Sequence, residues 1–277
     1  MTHFGHKDEW QHFASKHEAT VEAVTAAHKA TLGLLQSAQA KTESPEQKTI
    51  LALGLACLKE FEEIVLLCGN GYGSGANKLL RTFFERVTTV GYLGKRPDKV
   101  QQFIDFTPVH WHKLLTEADK KHEKVGLSEE EIAKIKADFE KVKGEYQDAC
   151  TCGKKRLQGS WTKKPVPDMA EDVDKDLRLM YFNAFLAPTF LIHATYFGVM
   201  RVAGISESGK LHFFKPENER EMARDTLSNA HLLLIIMGIV VNKFFTLEAD
   251  GVLEGLGKNF ERVCRIEHEA GQKGVEG

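Results

Sequence analysis

An excess of basic charge is missing from this sequence: 37 Lys and Arg stand against 39 Asp and Glu, a formal net charge of -2. That balance excludes a uniformly basic nucleic-acid binder and a polybasic membrane anchor, leaving only local basic patches open. Proline is scarce, with 7 in 277 residues. The 23 glycines do not make a low-complexity chain either, and an apolar share of 42% can furnish a core. Met1 to His6 hold no basic stretch followed by an apolar one, so no secretory signal is read there and the expected location is cytoplasmic. The most apolar run, Leu232 to Val241, has ten residues. A bilayer needs about twenty, so the run reads as a buried helix and no membrane partner is expected. Alternating Val/Ile/Thr-rich runs bounded by turns are absent, which leaves a sheet no material. The fold class read from this is all-α, a single domain forming a multi-helix bundle with antiparallel long helices.

Cysteine is present in an odd number, five. Cys57 and Cys68 fall inside apolar helical patterns, where a thiol behaves as a small hydrophobe, and reduced cysteines are expected throughout. Cys150 and Cys152 make a CxC, but no second Cys or His pair stands at a zinc-module spacing, so neither a metal nor another cofactor is expected.

Helical periodicity organises most of the rest. Apolar positions from Trp10 through Phe13, Val21 and Val24 to Leu35, with His17 and His28 filling two steps, predict one long amphipathic helix. Ser44 followed by Pro45 marks the start of a second. The stretch CGNGYGSGANK lacks both a phosphate-loop pattern and a preceding strand, so its glycines are read as ending one helix and starting the next. A third helix carries Leu80, Phe83, Val87 and Val90 inward, and a fourth begins near Pro97. Residues 110–152 are dense in charge around a thin apolar stripe of Ile132, Ile135, Phe139 and Val142, which predicts a protruding helical hairpin. Residues 153–175 read as a structured loop, two strongly apolar helices follow at Leu177 to Met200 and Asn218 to Leu247, and a weaker helix near Gly255 to His268 precedes a flexible tail at 270–277.

Three groups of residues could carry chemistry. Tyr181, Phe185, Thr189 and His193 are four apart and share a face, while Pro188 should kink the helix beside Thr189 and free a carbonyl there. Arg81 and Glu85, also four apart, either pair along their helix or turn together toward a ligand. Arg224 and His231, two turns apart, could bind a phosphodiester and assist attack by a ribose hydroxyl without a metal. His110 and His112 in VHWHK diverge by about 200 degrees on a helix and cannot share an ion. His17 and His28 are too far apart to do so and read as residues at the edge of the core.

The segments GANKLLRTFFERVTTVGYLGKRPDKVQQFIDF, GSWTKKPVPDMAEDV and YFNAFLAPTFLIHAT together resemble the bacterial domain-of-unknown-function family 5677 over roughly residues 50–200. Arg81, Phe84, Glu85, Ser160, Trp161 and His193 match its pattern, and Thr189 stands where the family has Ser. The resemblance implies no activity, but it nominates Arg81, Glu85, Thr189 and His193 as the ligand-binding set. The helical outline is also similar to HEPN proteins, which include metal-independent ribonucleases with an Arg-x(4 to 6)-His motif. Arg224 and His231 fit that spacing, although Asp225 puts an acid where phosphate would bind. The leading expectation is a helical-bundle protein with a polar pocket for a small anionic or nucleotide-like ligand. The alternatives are a HEPN-like ribonuclease acting on RNA in stress or phage defence, with Arg224 and His231 at a homodimer interface, and an interaction module whose charged hairpin docks a partner.

Overall fold

Ser44 caps the helix that follows it by accepting from the Gln47 backbone N–H, and the Gln47 side chain returns the bond to the Ser44 N–H at 2.9 Å. Side-chain caps likewise start the helices that begin at Glu129 and Lys175 in the computed structural model, which describes residues 8–149, 155–193, 195–200, 203–205, 208–213 and 216–273. In chain order the helical elements are α1 (Glu9–Lys16), α2 (Glu18–Gln39), α3 (Pro45–Gly69), α4 (Gly73–Lys95), a 3-10 turn (Pro97–Lys99), α5 (Val100–Asp105), α6 (Thr107–Lys120) and α7 (Glu129–Val142). After a ribbon of β1 (Gln147–Ala149) and β2 (Lys155–Leu157) come α8 (Val166–Val173), α9 (Lys175–Tyr181), a π-helical turn (Phe182–Leu186), α10 (Ala187–Ile192) and α11 (Tyr196–Met200). A second ribbon, β3 (Ala203–Ile205) and β4 (Leu211–Phe213), leads to α12 (Pro216–Phe245) and α13 (Asp250–Lys273). The fold is all-α, and its two antiparallel ribbons pair only three residues on each side.

Two compact units make up the chain. One is built from the residues up to Lys95 together with those from Val166 onward, and the other is Arg96–Pro165. In the first, α12 is the central element and packs on α2, α3, α4 and α13. Its residues Leu227, Ala230, Leu233, Leu234, Met237 and Val241 are buried, as befits a helix surrounded by others. By length and composition α12 could cross a membrane, yet most of its apolar stretch is covered by its neighbours. From α4, Leu80, Phe83, Val87 and Val90 are fully buried against α3 and α12.

The glycine-rich stretch between α3 and α4 is a turn with a specific geometry. Gly71 takes φ +76, and Tyr72 and Gly71 donate their N–H groups to the carbonyls of Leu67 and Cys68, which closes α3 in a Schellman motif. Gly73 then brings α4 against the backbone of α12. A Cβ on it would collide with the Glu219 carbonyl and lie 2.6 Å from the Ala223 nitrogen. The Glu219 carboxylate accepts from the Ser74 N–H at 2.8 Å, so α12 also caps the start of α4.

In the second unit α6 and α7 form the charged hairpin. A capping box of Ser128 and Glu131 starts α7, and Phe139 alone of the apolar stripe is buried. Tyr146, Phe106 and Trp161 supply a small aromatic core, where the Tyr146 hydroxyl donates to the Gln102 carbonyl at 2.7 Å.

Three elements differ from the sequence reading. The first helix breaks at His17, whose φ of -121 and ψ of 39 separate α1 from α2. The stretch 153–175 contains α8, begun by the Pro-Val-Pro run in which Pro167 occupies the first turn, where no N–H is needed. The helix expected from Leu177 to Met200 is instead α9, the π turn, α10 and α11. Cys150 and Cys152 lie outside the described residues. Cys57, Cys68 and Cys264 are free thiols, and burial raises the titration of the first two.

The close approach at Gly73 makes a test of the α4–α12 contact. Gly73→Ala is expected to destabilise by about 2–3 kcal/mol, as overpacking against backbone does. Gly33→Ala, on α2 with open space around it, is expected to stabilise by about 0.5–1 kcal/mol. Urea denaturation of both variants checks the pair.

Candidate functional site

Arg81, Glu85 and Thr189 come together where α4 crosses α10. Arg81 Nε donates to Thr189 Oγ1 at 3.0 Å, and the Thr189 hydroxyl donates in turn to the Phe185 carbonyl at 2.6 Å. The guanidinium lies over the Phe185 ring, 4.6 Å from its centroid, and Nη1 is 3.9 Å from a Glu85 carboxylate oxygen. Tyr181 and Phe185 stack on each other and face Phe84 of α4. Arg81 therefore spends its fork, face and charge on α4 and α10 themselves.

The backbone explains why this cluster stops at Thr189. Pro188 supplies no N–H to the preceding turn, and Ala187 donates instead to Phe182, five residues back, which is the π-helical step. Helix α10 then ends at Ile192. His193 is extended, with φ -83 and ψ 144, and exposed, so the spacing that would place it beside Thr189 no longer applies. Its only described bonds are those of its backbone.

Arg224 and His231 do not share an accessible cleft. Arg224 donates from Nε and Nη2 to one Asp225 oxygen, at 3.0 and 2.8 Å, with Glu221 at 3.8 Å. His231 is 1% exposed, its ring edge-on to Phe260, and its Nε2 is buried without a partner. Burial alone pushes its imidazole down to about 4, so it is neutral at pH 7. A reacting ribose could not reach it.

His17, His28, His110 and His112 serve packing and local pairing. His17 bonds the Glu267 carboxylate at 2.9 Å beside Thr20, and His28 bonds Glu62 at 2.9 Å. Burial works to raise the Glu267 carboxyl, but hydrogen bonds from His17 and Thr20, with the charges of His17 and Arg224, hold it below the usual carboxylate range. In the second unit His110 meets the Phe106 ring edge-on, and His112 stacks on Phe139 at 3.7 Å. A buried carboxylate, Glu60, takes bonds from Thr82 and from Arg86 at 2.5 Å. Its carboxyl is raised by burial, against the pull of those two partners. Among the described residues no group of three or more His, Cys, Asp or Glu is placed to hold a metal ion.

A cleft of about 750 Å³ opens between α4, the π turn with α10, and the first half of α12. Asn77, Asn183, Asn218 and Asn229 line it with Glu221, Asp225 and Ser228, over an apolar wall of Ala187, Leu191 and Met222. These are four of the chain's seven asparagines. Two are oriented by the fold: Asn77 Nδ2 donates to Thr226 Oγ1 at 3.0 Å, and Asn229 Nδ2 to the Asp225 carbonyl at 2.8 Å. Each keeps its carbonyl oxygen and a second N–H for another partner. No lysine or arginine lines the cleft among the described residues. Asn183, Ala187 and Leu191 are spaced four apart, whereas Arg81 holds the stripe of Phe185 and Thr189, two positions round the helix. The Arg81 cluster and the cleft thus use different sides of one helix. The sequence carries one signal for the cleft. Asparagine is a poor helix former, and it recurs at 77, 183, 218 and 229 inside or at the ends of helical patterns.

Comparison with family profiles matches residues 47–211 to the family of unknown function DUF5677, and the chain belongs to that family. The match runs from α3 to the start of β4 and takes in Arg81, Glu85, Asn77, Asn183, Thr189 and His193. Neither a curated protein nor a solved structure matches the chain.

The buried His231 sets a pH dependence of stability. Its folded value near 4 lies below the unfolded value of about 6.5. The unfolded state therefore binds the proton first: the stability is complete above pH 6.5 and falls with pH until the folded value is passed. The slope is at most about 1.4 kcal/mol per pH unit between those limits. Since burial also lowers His110 and His112, the measurement is the difference between wild type and His231→Leu. Urea unfolding at steps from pH 7 to 4.5 is expected to give a shallower loss for the variant.

Proposed function

We propose that this chain binds a small, phosphate-free polar molecule of the nucleoside class in the asparagine-lined cleft. The observation that carries the reading is the convergence of four carboxamides and two carboxylates, with no cation among the described lining residues, on a space of ligand size. A carboxamide presents a donor and an acceptor side by side, which matches the edge of a nucleobase. Carboxylates accept from ribose hydroxyls or exocyclic amines. The apolar wall of Leu191 and Met222 gives the base a face to lie on.

The same lining argues against the anionic ligand that the sequence suggested. Glu221 and Asp225 would repel a phosphate, and the neighbouring Arg224 is engaged with both. Arg81, Glu85 and Thr189 then act at one remove, by pinning α10 to α4 so that Asn183 and Leu191 are held at the cleft. His193 is not among the lining residues.

Isothermal titration calorimetry with the four common ribonucleosides and their 5′-monophosphates tests this. At least one nucleoside should bind saturably, and its monophosphate at least about tenfold more weakly, a difference of about 1.4 kcal/mol. Asn183→Ala should weaken the nucleoside roughly 5- to 150-fold, the 1–3 kcal/mol of a lost bidentate base contact. Failure of every nucleoside to bind, or tighter binding of the monophosphates, would overturn the reading.

A further inference from the structure

The outer side of α9 to α11 is apolar to a degree that scattered surface hydrophobes do not reach. Leu179 is 76% exposed, Phe182 61%, Tyr196 76% and Val199 56%, with Phe190 and Ile192 over 40%. Single exposed apolar residues are ordinary, but here they cluster on three consecutive helices. From Leu179 to Met200 the sequence contains no Asp, Glu, Lys or Arg.

The fold packs the segments that carry these residues in succession, α9 on the π turn, the π turn on α10 and α10 on α11. Tyr181 and Phe185 face Phe84 of α4, which leaves Leu179 and Phe182 on the side turned away. At the other end α11 folds back on α10. The Thr195 hydroxyl donates to the Phe190 carbonyl at 3.2 Å, and a Cβ on Gly198 would lie 3.1 Å from the His193 carbonyl and collide with that of Phe190. The start of α11, which carries Tyr196 and Val199, is thereby brought against the end of α10.

We propose that this face is the contact surface of a two-fold homodimer. Taking side chains of about 150–250 Å² each at the exposures above, the six residues present roughly 600 Å² of surface. That is at or above the upper end of what monomers show, about 300–600 Å², and close to the roughly 800 Å² that each partner contributes to a standard interface.

The charge pattern selects the occupant. A two-fold axis sets a patch against itself, so any charge near the axis meets its own like, and an uncharged stretch avoids that cost. Recognition of a different protein draws its selectivity from complementary charge, and the stretch from Leu179 to Met200 offers none. An interfacial membrane helix carries a Lys/Arg-rich polar side, whereas the other side of α9 and α10 is packed on α4. The proposal is independent of the ligand reading, since the π turn and α10 give Asn183, Ala187 and Leu191 to the cleft and other residues to this face.

The test is size-exclusion chromatography with multi-angle light scattering on the full chain without ligand, over a hundredfold concentration range. A dimer is expected at the upper concentrations. Phe182→Glu and Tyr196→Glu should each shift the chain to monomer with an unchanged circular dichroism spectrum, and two variants on different helices guard against a folding defect in one. Val252→Glu, at an exposed apolar site on α13, should leave the dimer intact. A wild type that stays monomeric throughout, or a dimer indifferent to both substitutions, overturns the proposal. So does a monomer that co-sediments with phosphatidylcholine vesicles, which would assign the face to a membrane.

Discussion

The backbone contact between Gly73 of α4 and the Glu219–Ala223 turn of α12 sets the distance at which these two helices meet. The polar groups that line or support the cleft are arranged around this crossing. Because the α4 backbone is close there, Ser74 can be capped by Glu219, and one turn on Asn77 can reach Thr226. A further turn along, Arg81 reaches across to Thr189 on α10. A side chain at position 73 would push α12 outward and open the cleft wall at Asn77 and Met222. Packing density and ligand chemistry are therefore tied to one glycine.

Much of the architecture is legible in the sequence because the governing forces there are local. Ser44 and Pro45 fix a helix start, the spacing of Leu80, Phe83, Val87 and Val90 fixes a buried face, and the glycines at 69–75 close one helix and open another. Where the reading fails, a distant partner decides. His17 breaks the first helix while its ring is held by Glu267, some 250 positions away in the chain. The π turn before Pro188 inserts a residue into a helix whose apolar pattern is unbroken, and no periodicity reveals that. Helix α8 arises in a stretch whose Pro and Lys content argues for a loop.

The polar set nominated from sequence was partly recoverable for the same reason. Arg81 and Glu85 are neighbours on any helix, and Thr189 lies on the Phe185 stripe, so their meeting needs only that α4 and α10 pack. His193 needed α10 to continue by one residue, which it does not. The pairing of Arg224 with His231 rests on spacing alone, and burial separates an exposed guanidinium from a neutral core imidazole. The cleft was the hardest to foresee, since Asn77, Asn183, Asn218 and Asn229 converge from distant parts of the chain.

The second unit, Arg96–Pro165, interrupts the first between α4 and α8. The two ends of the host nevertheless lie side by side: the Lys95 ammonium bonds the carbonyl of Val173 at 2.5 Å, and Gly91 lies against the Val173 side chain. Once folded, the insertion behaves as a short tether, because the entropy of bringing two points together depends on the disordered length between them. The host gains most if the insertion folds first. During synthesis that order is also the order of emergence, since residues 96–165 leave the ribosome before α8 and α12 exist to complete the host's core.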